Sequence, residues 1–157
     1  MTTTEAIRSR LQLQGFDCDS DPRVLAGARW LRFTPTLSTV CIIAGTALRS
    51  PIVLWSFALV TMVGAAGWHL FDALFNVFVR RWAQAPPLGP NPAPRRFAMA
   101  VAAVWSATAS GLMSAGFVRT GVVAGGALAV AGAIVATTHF CLGSWMYRRL
   151  RRQKVAA

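Results

Sequence analysis

The stretch Thr137-Thr138-His139-Phe140-Cys141-Leu142-Gly143-Ser144-Trp145-Met146-Tyr147, running straight into Arg148-Arg149-Leu150-Arg151-Arg152-Gln153-Lys154, decides how the chain is read. An apolar segment ends here in aromatic side chains and then in a block of positive charge. That is the pattern of a membrane helix leaving the bilayer on the side where cations collect. Composition agrees: the 157 residues are 55% hydrophobic and 13% charged, with a positive mean hydropathy. A soluble domain carries about 25% charge, so there is too little polar residue here to clothe a soluble globule. The fold class expected is an all-α integral membrane protein.

The net charge of +11 does not point to nucleic acid. The 16 Lys and Arg lie almost wholly at the ends of apolar segments rather than in a stripe, so their role is topological and the partner is the bilayer. Cys18, Cys41 and Cys141 form no C-x-x-C pair, no disulfide framework and no zinc spacing, and read as reduced thiols. The first 30 residues hold no short apolar core followed by a small-residue cleavage site, so insertion is expected through the first span.

Upstream of the opening stretch, the fourth span reaches back to about Gly121, with Arg119 in the turn before it and a third span from about Arg96 to Phe117. The first span runs from about Phe33 to Leu48, lengthened by Trp30 and Leu31, and turns at Arg49-Ser50. The second begins at Pro51 and stays apolar to about Gly67. Trp68, Phe71, Phe75, Phe78 and Trp82 then recur at helical spacing, which reads as an amphipathic interfacial helix or a continuous extension of the second span. Residues 83–95 hold five of the eight prolines and form the linker. The domains expected are an N-terminal segment 1–32, a first hairpin with its extension 33–82, the linker 83–95, a second hairpin 96–147 and a basic tail 148–157.

Within the N-terminal segment, Thr4, Glu5, Ile7 and Leu11 followed by Gly15 suggest a short polar helix. Asp17, Asp19 and Asp21 alternate like the start of a calcium loop, but Pro22 stands where Gly is needed and Ala28 where Glu is needed. The simpler reading is an Asp21 N-cap with Pro22 at the first helical position, opening a helix that carries Arg23, Arg29, Trp30 and Arg32 along the headgroups. Counting cations gives five before the first span, one after it, four between the second and third, one between the third and fourth, and five at the end. Fourteen against two places both termini and the linker in the cytoplasm. Arg32-Phe33 and Arg96-Phe97 open the two hairpins, and His69 and His139 each lie 18 residues after Pro51 and Gly121, which suggests a parallel internal repeat.

Small residues recur at every fourth place: Ala98, Ala102, Ser106, Ser110 and Ser114 in the third span, and Gly121, Gly125, Ala129, Ala133, Thr137 and Cys141 in the fourth. Such stripes let membrane helices approach closely, so these two spans are expected to pack together, with Cys141 simply a small residue on the stripe. On an unbroken helix His139 and Cys141 point roughly 200° apart and cannot share a metal, and His139 shares a face with Val135 and Ala131. His69 and His139 reach similar depths, with Asp72 placed to hold one nitrogen of His69. They could hydrogen-bond across helices, ligate a b-type haem or a transition metal, or serve proton transfer or quinone contact. Cys41 and Cys141 also share a level and could cycle as a thiol pair. No hydrolase triad, phosphate loop, carboxylate pair or base-reading motif is present.

Pro94-Arg95-Arg96-Phe97, Phe140-Cys141-Leu142-Gly143-Ser144-Trp145-Met146-Tyr147 and Asp21-Pro22-Arg23 together resemble, over about residues 20–150, a bacterial membrane family known as domain of unknown function 4395. The resemblance implies a four-helix membrane domain in a bacterial inner membrane, with the Pro-Arg-Phe motif entering its third helix. It also implies thiol or sulfur redox beside thioredoxin-like or sulfur-transfer proteins. Ser144 replaces the second Cys that members often carry, which removes a self-contained dithiol. The function expected is an accessory or structural subunit of a membrane complex or homo-oligomer, with Arg148, Arg149, Arg151 and Arg152 meeting lipid headgroups. The alternative is redox or electron transfer through Cys141 or the His69 and His139 pair.

Overall fold

The structure, a computed structural model, describes residues 3–156; the first two residues of the N-terminal segment and the last of the tail lie outside it. It is all-helical among the described residues. Helix α1 spans Thr3–Leu13 and stops where Gly15 takes a positive φ of 94°. Gly15 also lies against the linker, since a Cβ there would stand 2.8 Å from Pro94 Cδ. Helix α2, Pro22–Ala26, starts on the Asp21 cap, whose carboxylate accepts the Arg23 N–H at 2.9 Å. It ends after five residues at Gly27 rather than running on to Arg32, and a separate 3-10 turn covers Trp30–Arg32. The Asp17 carboxylate is spent on its own turn, accepting from the N–H groups of Asp19 and Ser20.

Four helices form the body: α3 Phe33–Ala47, α4 Pro51–Ala65, and, beyond two short helices and the linker, α7 Ala93–Ser114 and α8 Val118–Thr138. Each packs on two others in the ring α3, α4, α7, α8 and back to α3. Their shared core is Ile42, Leu54, Phe57, Ala109, Met113 and Leu128, joined by Phe71. By length and composition α7 and α8 can cross a membrane, and α4 together with the following helical segment is a third candidate, bent by 82°.

The small-residue stripes do pack, but they divide between partners. Gly121 faces α7, where a Cβ would meet the Ala109 carbonyl oxygen at 2.8 Å, whereas Gly125 faces Thr46 of α3. On α7, Ser106 and Ser110 turn to α4, donating to the Leu54 and Pro51 carbonyls at 2.9 and 2.6 Å. Ala102 and Ala129 pack against the shared core and Ala133 is half-buried.

Both returning helices end in breaks. After α4 the chain turns at Gly67, and Leu70–Leu74 (α5), a π-turn at Phe75–Val79 and Arg80–Ala83 (α6) run off as one bent segment, not as an extension of the span. After α8 the helix stops at Thr138, nine residues before the Tyr147 expected of the span, and Leu142–Ala156 forms a separate α9 against α7 and α1. The linker is a fixed part of the fold. Asn76 donates to the Leu88 carbonyl at 2.9 Å and accepts the Leu88 N–H at 2.8 Å, while Ala85 and Leu88 pack with Phe75. Its last residues, Ala93, Pro94 and Arg95, already belong to α7.

Candidate functional site

The two breaks and the start of α7 converge, and each carries a buried polar residue. His69 is the N-cap of α5, its Nδ1 accepting the Phe71 N–H at 3.2 Å. That bond places the proton of a neutral ring on Nε2. Among the described residues the Nε2 group has no hydrogen-bond partner, although His69 is 3% exposed.

His139 sits past the end of α8 with a positive φ of 58°. A helix end leaves carbonyls without partners, and here the N-terminal segment supplies them. Gln14 donates to the His139 carbonyl and Arg10 to the Thr138 carbonyl, each at 2.7 Å. Arg148 clamps the other way, donating from α9 to the Leu13 carbonyl at 2.9 Å and to that of Gln12. The imidazole Nε2 of His139 accepts from Arg32 Nε at 2.8 Å.

Burial, then the nearby guanidiniums of Arg32 and Arg10, pushes His139 down to about 4 from its ordinary 6.5. The native state therefore holds a neutral ring where the unfolded chain binds a proton. This contribution is present above pH 6.5 and is lost as pH falls from there through 4. Thermal melts in detergent should show midpoints dropping across that window, with a shallower drop in His139→Gln.

At the third corner, Asp72 of α5 accepts from the Thr34 hydroxyl and, at 2.9 Å, from the Asn91 amide, and faces Arg95 of α7 at 3.8 Å. Arg95 is 7% exposed and lies over the Phe16 ring at 5.5 Å. Its guanidinium makes no hydrogen bond among the described residues, leaving five N–H donors with only the distant carboxylate for company. A cation in the first turn of a helix also opposes the helix dipole. Helix stability therefore does not account for Arg95.

Those donors open onto a cavity of about 180 Å³ inside the ring of helices. Gln14, Thr34, His69, Arg95 and Cys141 line its polar end; Phe57, Met99, Ala102, Leu128 and Val135 line the rest. Trp105, Leu142 and Met146 also line it and are exposed, so the cavity opens to the apolar outer surface of the bundle.

Of the residues singled out in the sequence, His69 and Cys141 meet at this cavity. His139 and Asp72 stand behind it as supports, to Arg32 and Arg95 respectively. His139 does not share a helical face with Val135 and Ala131, because it lies outside the helix. The bis-histidine haem arrangement does not fit, since the His139 Nε2 that would ligate iron is held by Arg32 and only His69 lines the cavity. Cys41 packs beside the apolar core, and all three cysteines are free thiols. Of the basic tail, Arg148 turns inward to α1, while Arg149 and Arg151 lie over the Trp145 and Tyr147 rings at 5.0 and 5.9 Å. The sequence reading has Arg95 only as a topological charge and as part of the Pro94-Arg95-Arg96-Phe97 motif, and it passes over Thr34, Asn91 and Gln14. The one available signal is a guanidinium in the first turn of an apolar helix.

A protein-family model described as a domain of unknown function, DUF4395, matches residues 28–152, a stretch that holds the four-helix ring, both breaks and the cavity lining apart from Gln14. The chain belongs to this family. The DUF4395 match takes in Arg32, Asp72, Arg95, His139 and Cys141 and leaves out α1 and the turn after it, which supply Arg10 and Gln14. Neither the curated proteins nor the solved structures hold a match to the chain.

Proposed function

We propose that this DUF4395 chain is a small multi-pass membrane subunit that takes up a membrane-soluble amphiphile, its head at Arg95 and His69 and its apolar part in the cavity. The observation that carries this reading is the buried Arg95 guanidinium without a hydrogen bond. Leaving such donors unpaired is costly unless something bearing acceptors visits them. The apolar lining and the outward opening suit a visitor that arrives through lipid rather than water. In this reading the chain is an accessory binding subunit of a membrane complex.

In this reading α3 and α4 also span. Each has 15 residues, roughly 22 Å by helical rise, against a hydrocarbon core of roughly 30 Å. The turn at Trp30–Arg32 extends α3. The charge count puts both termini and the linker on the cytoplasmic side of a bacterial inner membrane, with the exposed Arg149 and Arg152 of α9 at anionic headgroups. A thiol role for Cys141 is the second reading, favoured by its place on the cavity wall. Ser144 would not complete it, being fully buried and donating to the Pro94 carbonyl at 3.2 Å.

Cys141 can report on the cavity. In a chain carrying Cys18→Ser and Cys41→Ala in phosphatidylcholine vesicles, N-ethylmaleimide should modify Cys141, and a charged water-soluble maleimide should not. Adding a lipid extract of the native membrane should slow the modification about tenfold. Equal rates with and without the extract would contradict the reading.

A further inference from the structure

Resting on the reading of the cavity as an amphiphile site, we infer that the head it receives is a quinone ring: two carbonyl oxygens on opposite sides of a six-membered ring, with an alkyl or isoprenoid tail. Four observations converge on this class. The first is the pair of donor groups left without a partner at the polar end. Arg95 brings five N–H groups without a hydrogen bond, and His69 brings Nε2–H because its Nδ1 is already an acceptor for Phe71. A visitor must therefore present acceptors.

The second is charge. Asp72 lies 3.8 Å from Arg95 and already takes hydrogen bonds from Thr34 and Asn91. A fatty-acid carboxylate on the same guanidinium would sit beside this like charge in a low-dielectric site. A carbonyl oxygen accepts from the same donors without that repulsion.

The third is a second polar position. Ser38 lines the cavity one turn along α3 from Thr34, roughly 6 Å deeper by helical rise. Serine hydroxyls in helices commonly return to a carbonyl one turn back, as Thr39 does to Pro35 at 2.7 Å. Ser38 makes no hydrogen bond among the described residues and is half-buried, so its O–H is available at the far side of the cavity. A fatty-acid chain has nothing to offer there, whereas a ring with a second carbonyl does.

The fourth is size and wall chemistry. A volume of about 180 Å³ is close to the roughly 150 Å³ that accommodates a benzene ring. Phe57, Trp105, Met99 and Met146 supply aromatic and thioether walls of the kind that pack on a planar ring. The tail leaves by the opening at Trp105, Leu142 and Met146 into the lipid.

The test uses the full chain in phosphatidylcholine vesicles, titrated with decyl-benzoquinone while tryptophan fluorescence is followed. A quinone ring quenches tryptophan on contact, and Trp105 lines the cavity. Saturable quenching is expected, largely lost in Trp105→Phe. The apparent Kd should rise about tenfold or more in Arg95→Gln and about fivefold in Ser38→Ala, each losing a bond worth about 1–2 kcal/mol. Ser38→Ala removes no hydrogen bond of the empty protein, so it tests the proposal even if the Arg95 variant does not fold. Dodecanoate at the same concentrations should compete weakly. Arg95-dependent binding of dodecanoate without binding of the quinone would overturn the quinone class and leave the cavity reading standing. Unchanged quinone affinity in Ser38→Ala would overturn the two-ended placement of the ring. Saturation by neither probe would remove the inference and the amphiphile reading together.

Discussion

Asp72→Ala is expected to lower the unfolding free energy by about 3–5 kcal/mol, the range for removing one partner of a buried ion pair. Asp72 is 7% exposed and, among the described residues, is the carboxylate paired with Arg95, itself equally buried. Its loss would also strand the Thr34 hydroxyl and the Asn91 amide, whose own carbonyl oxygen already lacks a partner. The same physics predicts that Asp72→Leu combined with Arg95→Met regains most of that stability, because an apolar pair of similar volume needs no compensation. SDS titration in mixed micelles measures both. The double variant should fold and lose the site, which separates the two roles of the pair. A single Asp72→Ala variant as stable as the wild type would show that the corner is hydrated and that the low-dielectric argument fails.

Gly121→Ala should be the second large effect. Its Cβ would stand 2.5 Å from Met113 Cγ and 2.8 Å from the Ala109 carbonyl oxygen. The side chain of Met113 can swing away, but the α7 backbone cannot move without opening the α7–α8 contact. Overpacking of this kind costs about 1–3 kcal/mol. Gly126, five residues on in the same helix, has no heavy atom within 4 Å of the corresponding position. Gly126→Ala should therefore be neutral or gain up to about 1 kcal/mol from helix propensity. The contrast is read in the same titration. Equal losses at both positions would mean that the faces of α8 are assigned wrongly.

Local signals in the chain were enough for the helices and several of their ends. Asp21-Pro22, Pro51 and Gly15 act where helix-end chemistry puts them. The breaks were not legible, for a physical reason. Nothing in Thr137-Thr138-His139-Phe140-Cys141 forbids a helix. The chain stops at Thr138 because Arg10 and Gln14, more than a hundred residues away in sequence, take the carbonyls of Thr138 and His139. Continuing the helix through Cys141 then misplaced His139. The small-residue stripes showed that helices approach closely, but a stripe does not name its partner, and Gly121 and Gly125 face different helices. The pairing of Asp72 with Arg95 joins a bent helix to the end of a proline linker, and neither local propensity nor periodicity carries that information. Each hairpin is followed by a break bearing a buried histidine and then by a further helix.

The account rests on a lipid-soluble molecule occupying the cavity beneath Arg95. The most direct measurement is native mass spectrometry of the full chain released from its own membrane, with organic extraction of the same sample, compared between the wild type and the Asp72→Leu, Arg95→Met double variant. The account predicts about one lipid-soluble adduct per chain in the wild type, with a ring chromophore in the extract, and none in the double variant. An adduct retained equally by both, or a wild-type chain that emerges bare from its native membrane, would contradict it.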